Sequence, residues 1–292
     1  MWPGLLHIKL DIMSLENRFN DITSYNDNLR KGMSDKLFFL DHLPDDEYLF
    51  FDFGCADGSL IEALKKEPRC RGKRHWYVGY DISEEMIHLA QKKLGCNRNN
   101  RVFLTSQWED AMDHVRQKAK RHRFKTVLIL SSVIHEVYSY DTSVDTFWSR
   151  VTGSGFHYIT VRDMMPSHTI NRDTDPGLYE AFLKNRNKVL LPNQIADFEQ
   201  LWGPLGKQKN FVHFLLKYRW TINWSREVKE NYFPICIEEF IDKLKSYQTL
   251  FFETFRVKHL DECILKDFGL QLTDNTHVKA VFTLPAAAPL PA

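Results

Sequence analysis

Three places along the chain carry residue types whose spacing could do chemistry. The first is Tyr48-Leu49-Phe50-Phe51-Asp52-Phe53-Gly54-Cys55-Ala56-Asp57-Gly58-Ser59-Leu60-Ile61-Glu62-Ala63-Leu64. An apolar run of strand length stops at Gly54, a turn with two glycines follows, and a helix-periodic segment begins near Ser59. Glycines at such a corner let a ligand approach the backbone closely. The amides that open the helix would favour an anion, typically by about 0.3–1 kcal/mol. The second place is Asp81, which ends the strand-like run His75–Tyr80. An acid about 20 residues past a glycine turn can accept both ribose hydroxyls of an adenosine. The third is Ser131-Ser132-Val133-Ile134-His135-Glu136, which follows the apolar run Thr126–Leu130. Asp163 closes a further strand-like run, Phe156–Val161, on the same side. If the chemistry needs a general base, His135 is the first choice, because imidazole titrates near neutral pH. Glu136 and Asp163 are the second choices, and a helix-start histidine bonded to backbone is an equal alternative for His135.

The glycine corner serves two ligand families. The dinucleotide fingerprint needs G-x-G-x-x-G, and here no third glycine follows in register. The remaining pattern, D-x-G-x-x-D-G, resembles motif I of the class I S-adenosylmethionine (SAM) dependent methyltransferases. Asp52, Gly54 and Gly58 fall on it, and Ala56 stands where the middle glycine is usual. That is a departure, since alanine resists positive φ. Tyr80-Asp81-Ile82-Ser83-Glu84-Glu85-Met86 resembles the family's motif after strand two, and Ser131–Val137 resembles its motif IV.

This resemblance covers roughly residues 48–163. It implies an α/β, Rossmann-like fold with a seven-stranded, mostly parallel sheet flanked by helices, SAM as cofactor and methyltransferase activity. The implied cofactor contacts are Asp52, Gly54, Ala56, Asp57, Gly58, Asp81, Ile82, Met86 and Ser131. Gln107 and Trp108, just past strand three, would flank adenine. Asp81 would hold ribose and Ile82 would cover adenine. Asp52 would order the loop or meet the cofactor's amino group, and Asp57 is equally a turn former.

The elements that must position these residues read as follows. Residues 1–47 form a lead and a helical cap, with Leu15, Phe19, Ile22 and Leu29 at helical spacing. Tyr25, Met33 and Lys36 would line the pocket from that cap, or simply pack on the sheet. Residues 48–165 form the cofactor-binding core, with Ser83 as N-cap and Gly95 as stop of the helix after strand two. Residues 166–236 change pattern and read as a helical insertion, a lid over the acceptor. Residues 237–284 supply the last helix and two closing antiparallel strands, and the proline- and alanine-rich tail 285–292 is disordered. Met13 offers an alternative start.

Composition bounds the function. At 292 residues, 43% hydrophobic and 26% charged, the chain can bury a large core. A formal net charge of +1 gives no global basic field, so nucleic-acid binding would need a local patch. Five cysteines without paired spacing fit a reducing, cytoplasmic setting and no disulfide framework or metal site. No apolar run reaches membrane-spanning length. The favoured acceptor is a small organic molecule, methylated on oxygen or nitrogen. RNA is the alternative, through the basic and aromatic segment 217–226 (Lys217, Tyr218, Arg219, Trp220, Trp224, Arg226). Packing of that segment is favoured over RNA. A third reading is a SAM-binding protein without turnover.

Overall fold

In the computed structural model, residues 32–95, 101–140 and 143–285 are described. The helical spacing from Leu15 to Leu29, the pocket candidate Tyr25 and the tail beyond residue 285 lie outside the described residues.

Seven strands form one sheet in the order β3-β2-β1-β4-β5-β7-β6. They are β1 (Tyr48–Phe53), β2 (Trp76–Tyr80), β3 (Val102–Thr105), β4 (Lys125–Ser131), β5 (Tyr158–Met164), β6 (Gln248–Phe255) and β7 (His277–Thr283). The first five are parallel, whereas β7 runs antiparallel to both β5 and β6. This is the expected seven-stranded sheet with its closing antiparallel pair. The strand order reverses between β1 and β4, and open α/β sheets place ligands beyond the carboxyl ends of the strands at that switch.

The central strands are apolar on both faces because helices cover both. Successive side chains of a strand point to opposite faces, so Leu49 and Phe51 enter one core while Tyr48 and Phe50 enter the other. In β4, Leu128 and Leu130 join the first core, and Val127 and Ile129 join the second. Asp52 continues the Phe50 side at the carboxyl end of β1 and is buried there.

The helices that flank the site obey the local signals. Helix α1 (Met33–Lys36) is a single turn. Helix α2 (Ser59–Lys66) buries Leu60, Ile61 and Leu64. Helix α3 (Glu84–Leu94) starts where the Ser83 hydroxyl accepts the Met86 amide at 3.2 Å, and stops at Gly95 with φ +64°. Helix α4 (Trp108–His122) follows β3, and α5 (Ile134–Tyr140) follows β4. β5 extends through Met164, so Arg162 and Asp163 lie within the strand rather than past it.

Residues 166–236 contain α7 (Pro176–Asn185), α8 (Gln194–Trp202), α9 (Gln208–Lys217) and α10 (Trp224–Glu227), after α6 (Val144–Gly153). They bury a separate apolar cluster that includes Phe182, Phe198, Phe211 and Phe214. Ile264 and Phe268 of the later helix α12 (Lys258–Phe268) complete that cluster. A further helix, α11 (Ile237–Lys243), leads back to the sheet.

Candidate functional site

A pocket opens at the carboxyl ends of β1 and β4 and encloses roughly 800 Å³, counting the part open to solvent. Asp52, Gly54, Cys55, Ala56, Asp57, Ser59 and Leu60 line it from the glycine corner, with Asp81, Ser83 and Met86 beside them. Ser131, Ser132, Val133 and Glu136 line it from the segment after β4. Met33 and Lys36 contribute from α1, and Arg226 from α10.

The corner needs backbone that L-residues avoid, and it pays for this locally. Gly54 has φ +73°, and a Cβ there would stand 2.5 Å from Val133 Cγ2. Gly58 has φ +75°, and a Cβ there would meet Leu94 Cδ1 at 2.8 Å. Ala56 adopts φ +44° despite its side chain. A left-handed conformation costs a non-glycine residue about 1–2 kcal/mol. Its amide donates to Asp81 Oδ2 at 2.9 Å, a charge-assisted bond that offsets part of that cost. Asp81 Oδ1 accepts the Ser83 amide at 2.9 Å. The carboxylate is thereby turned toward the corner.

Asp57 lines the pocket and also bonds within the turn. Its Oδ1 accepts the Ser59 amide at 3.1 Å and the Ser59 hydroxyl at 2.6 Å, while Oδ2 pairs with Lys93. Burial would raise its pKa, but Lys93 and Ser59 hold it below the usual range. The first amide of α2 is therefore occupied by a side chain. The expectation that this helix start serves an external anion is corrected to that extent.

Asp52 is buried, and its Oδ2 has no hydrogen-bond partner. Burial lifts its pKa to about 7, with Lys36 pulling down and Asp81 pushing up. Lys36 is itself lowered by burial and by Arg162, against the pull of Asp52, Asp163 and Glu136. Ser131 Oγ is a second buried polar atom without a partner on this pocket. Unpaired buried polar atoms are uncommon and cost about 1–3 kcal/mol each.

The candidate bases separate. His135 is buried on α5 and does not line the pocket. Its Nδ1 lies 2.6 Å from Asp163 Oδ1, and its ring packs edge-on to Tyr232. Burial alone would lower the pKa of His135, but the Asp163 carboxylate reverses this and lifts it to about 9. Asp163 is also buried and also accepts the amides of Val133, Ile134 and Met164 at 2.9, 2.7 and 2.8 Å. Burial opposes its charge, and His135 with these amides keeps its pKa low. The pair thus fastens the turn after β4 rather than facing a ligand. Of the three base candidates only Glu136 reaches the pocket, where it pairs with Arg226 at 3.3 Å.

Gln107 and Trp108, expected beside adenine, lie outside the wall of this pocket. Gln107 is exposed. Trp108 opens α4 pointing into the core, 5.6 Å from Phe51 and 5.8 Å from Phe53 between ring centroids. Ile82 is 57% exposed beside Asp81 and lies outside the pocket wall. Gly58 acts through helix packing rather than as lining.

Arg226 was not foreseen as a pocket residue. It is buried, forms ion pairs with Glu136, Glu227 and Glu230, and no local pattern marks it. Much of the remaining basic and aromatic segment is held by packing or ion pairs. Lys217 is fully buried and donates to the carbonyls of Glu227 and Glu230 at 2.7 and 2.6 Å, with its ammonium 4.3 Å from the Tyr232 ring. Tyr218 and Arg219 both bind Asp267, and Trp224 donates to Asp197. Lys217, Tyr218, Trp224 and Arg226 of the segment 217–226 are thus engaged in packing, hydrogen bonds and ion pairs, while Arg219 and Ile222 stay exposed.

Among the described residues, one cluster of three brings metal-ligand atoms within 4.8 Å: His168, Cys236 and Glu238. Glu238 already accepts the Ser167 hydroxyl and the His168 amide, and burial raises the Cys236 pKa, which opposes a thiolate ligand. No described helix is long and apolar enough to cross a membrane.

No family model matches the chain. Juvenile hormone acid O-methyltransferase of Bombyx mori is 42% identical over 71 residues, which is 22% of this chain and 24% of that protein. The matched part is thus about a quarter of the curated relative's length. Among solved structures, a SAM-dependent methyltransferase from Anabaena variabilis aligns over 88% of this chain and 84% of its own, with TM-score 0.47 and 10% identity. Magnesium protoporphyrin IX methyltransferase from Synechocystis aligns over 86% and 82%, with TM-score 0.42 and 12% identity. The methyltransferase domain of a bacterial Hen1 aligns over 89% and 99%, with TM-score 0.44 and 13% identity.

Proposed function

We propose that this chain, whose fold is that of the class I methyltransferases, binds SAM in the pocket at β1 and β4 and methylates a small organic acceptor. The observation that carries this reading is the pairing of two carboxylates on one pocket. Asp81 is held against the glycine corner by the Ala56 amide, and Asp52 presents a buried oxygen with no partner. Asp81 suits the ribose hydroxyls, since a carboxylate can accept about four bonds and two here come from the backbone. Asp52 suits the ammonium of the methionine end, and Lys36 suits its carboxylate. Met86 offers an apolar contact for the adenine.

When bound, the cofactor supplies a sulfonium-activated methyl group. The chain's own task is orientation, worth about 7–11 kcal/mol of barrier, against about 3–5 kcal/mol for a general base. Asp163 and His135 contribute to orientation by fixing the Val133 and Ile134 amides at the acceptor end. Glu136 is the carboxylate placed to take a proton, and Arg226 holds it there. Oxygen and nitrogen acceptors both suit this arrangement. The four described cysteines are free and buried, which fits a cytoplasmic setting.

Two experiments test the reading. Calorimetry with SAM and S-adenosylhomocysteine should show binding to the wild type; no binding overturns the assignment. Radiolabelled methyl transfer into a cell extract should leave label that survives nuclease and protease digestion. Label lost on nuclease digestion would move the acceptor to RNA.

A further inference from the structure

The segment Met33–Lys36 raises a physical question. It is one helical turn, closed by the Lys36 amide to the Gly32 carbonyl at 3.2 Å. A single turn fixes several backbone dihedrals for one hydrogen bond and does not hold its shape alone. Yet two of its four residues, Met33 and Lys36, line the pocket.

The answer lies in the strands beneath. Arg162 of β5 and Lys279 of β7 are direct cross-strand partners. Two cations in that register repel each other, and like charges directly opposite destabilise a sheet. Both are largely buried, their side chains 11% and 14% exposed. Phe255 lies under both, 5.5 Å from the guanidinium and 4.5 Å from the ammonium. Glu253, across from Lys279 on β6, is exposed to solvent. The carboxylate between the two cations is Asp35, with Oδ2 2.7 Å from Arg162 Nε and Oδ1 paired to Lys279. Burial opposes its charge, and the two cations hold its pKa down. Arg162 also reaches Ser132 Oγ at 3.4 Å, and Ser132 has φ +56° and lines the pocket.

We propose that Asp35 is a positioning residue, a latch seated in the Arg162–Lys279 socket that fixes residues 33–36 as a lid and thereby places Lys36 on the cofactor pocket. The sheet supplies a cationic socket that needs one carboxylate. The lid supplies it at the residue next to Lys36. The socket is tied to the turn after β4 through Ser132, so the lid and the acceptor end share one anchor. This inference rests on the SAM reading for the ligand but not for the latch itself.

A double-mutant cycle on the full chain tests it, with SAM affinity by calorimetry as the readout. If Asp35 acts by placing Lys36, D35N and K36M should each weaken SAM binding about tenfold, and the double variant should weaken it about tenfold, not a hundredfold. D35E, which keeps the charge, should recover most of the affinity. Multiplicative losses, or wild-type affinity in D35N, overturn the proposal. A ligand-free readout separates this from failure of the SAM reading. D35N should accelerate tryptic cleavage after Lys36 several-fold at a temperature where circular dichroism shows the rest of the variant still folded. Unchanged cleavage overturns the latch whether or not SAM binds. If D35N does not fold, K279M, which relieves the cross-strand repulsion and keeps the Arg162–Asp35 pair, should fold and accelerate the same cleavage; wild-type cleavage in K279M overturns the latch.

Discussion

The two ends of the pocket treat their buried polar groups in opposite ways. At the cofactor end, Asp52 Oδ2 and Ser131 Oγ are buried without partners. At the acceptor end, Asp163 accepts three backbone amides and faces His135, and Arg226 is ringed by Glu136, Glu227 and Glu230. Other unpaired atoms, on His75, His114, Gln208 and Tyr247, lie away from this pocket. A buried polar atom without a partner costs stability unless something arrives to bond it, whereas a carboxylate such as Asp163, bonded to three amides and an imidazole, specifies one geometry. On the proposed reading, the first end receives the ligand and the second holds a wall still. Perturbing the wall should therefore cost folding, and perturbing the receiving end should cost binding.

The largest effect belongs to the wall. Asp163→Ala leaves three amides and a charged imidazole without their acceptor, and breaking a buried pair from one side costs about 3–5 kcal/mol. Urea denaturation should show this loss, and a loss below 1 kcal/mol would break the contrast. The pair also sets a pH dependence. The folded pKa of His135 is about 9 against 6.5 for the free side chain, so the contribution is fully present below pH 6.5. It is lost as pH rises through 9. Wild-type stability should decline across that window, and His135→Gln should flatten the decline.

Next comes the receiving end. Asp81→Ala should raise the dissociation constant for SAM at least tenfold, about 1.4 kcal/mol or more. Calorimetry showing wild-type affinity would remove the ribose role and with it the assignment of this end.

This contrast also explains what the sequence could reveal. A strand, a two-glycine turn and a capped helix are local patterns, so β1, α2, Asp81, Ser83 and Gly95 were legible from spacing alone. Ala56 was legible as a departure but not as a solution, because the bond that offsets its φ comes from Asp81, 25 residues away. Side-chain direction was not legible. His135 and Glu136 are neighbours on α5, yet helical geometry sends one to Asp163 and the other to the pocket. Trp108 looked like an adenine platform because of its place after β3, and the register of α4 turned it into core. The pocket role of Arg226 could not be read, since it depends on three glutamates brought together by the tertiary fold.

A smaller effect sharpens the receiving end further. The Asp52 pKa is about 7, and only its ionised form attracts an ammonium group. SAM affinity should fall by up to tenfold per unit as pH drops below that value. Asp52→Asn should bind more weakly above pH 7 and lose the dependence. A wild-type profile that stays flat from pH 8 to 5.5 would take Asp52 out of the site.

The smallest effect comes from a residue outside both ends. Arg219 carries the most exposed cation of the former RNA candidate segment's ion pairs, its side chain 50% exposed and bonded to Asp267 at 2.6 Å. Exposed pairs contribute about 0–1 kcal/mol, and Arg219 does not line the pocket. Arg219→Ala should therefore leave SAM affinity unchanged and shift stability by less than about 1 kcal/mol. The same variant probes the acceptor. Phosphate contacts by a basic surface make binding fall steeply with salt, so RNA held by this segment would show a salt slope that Arg219→Ala reduces. A buried Lys217 and a paired Arg219 predict no such slope in the wild type. Titration of single-stranded RNA at two salt concentrations decides it: salt-sensitive binding that the substitution weakens would return RNA to the acceptor end and make the insertion a second receiving surface.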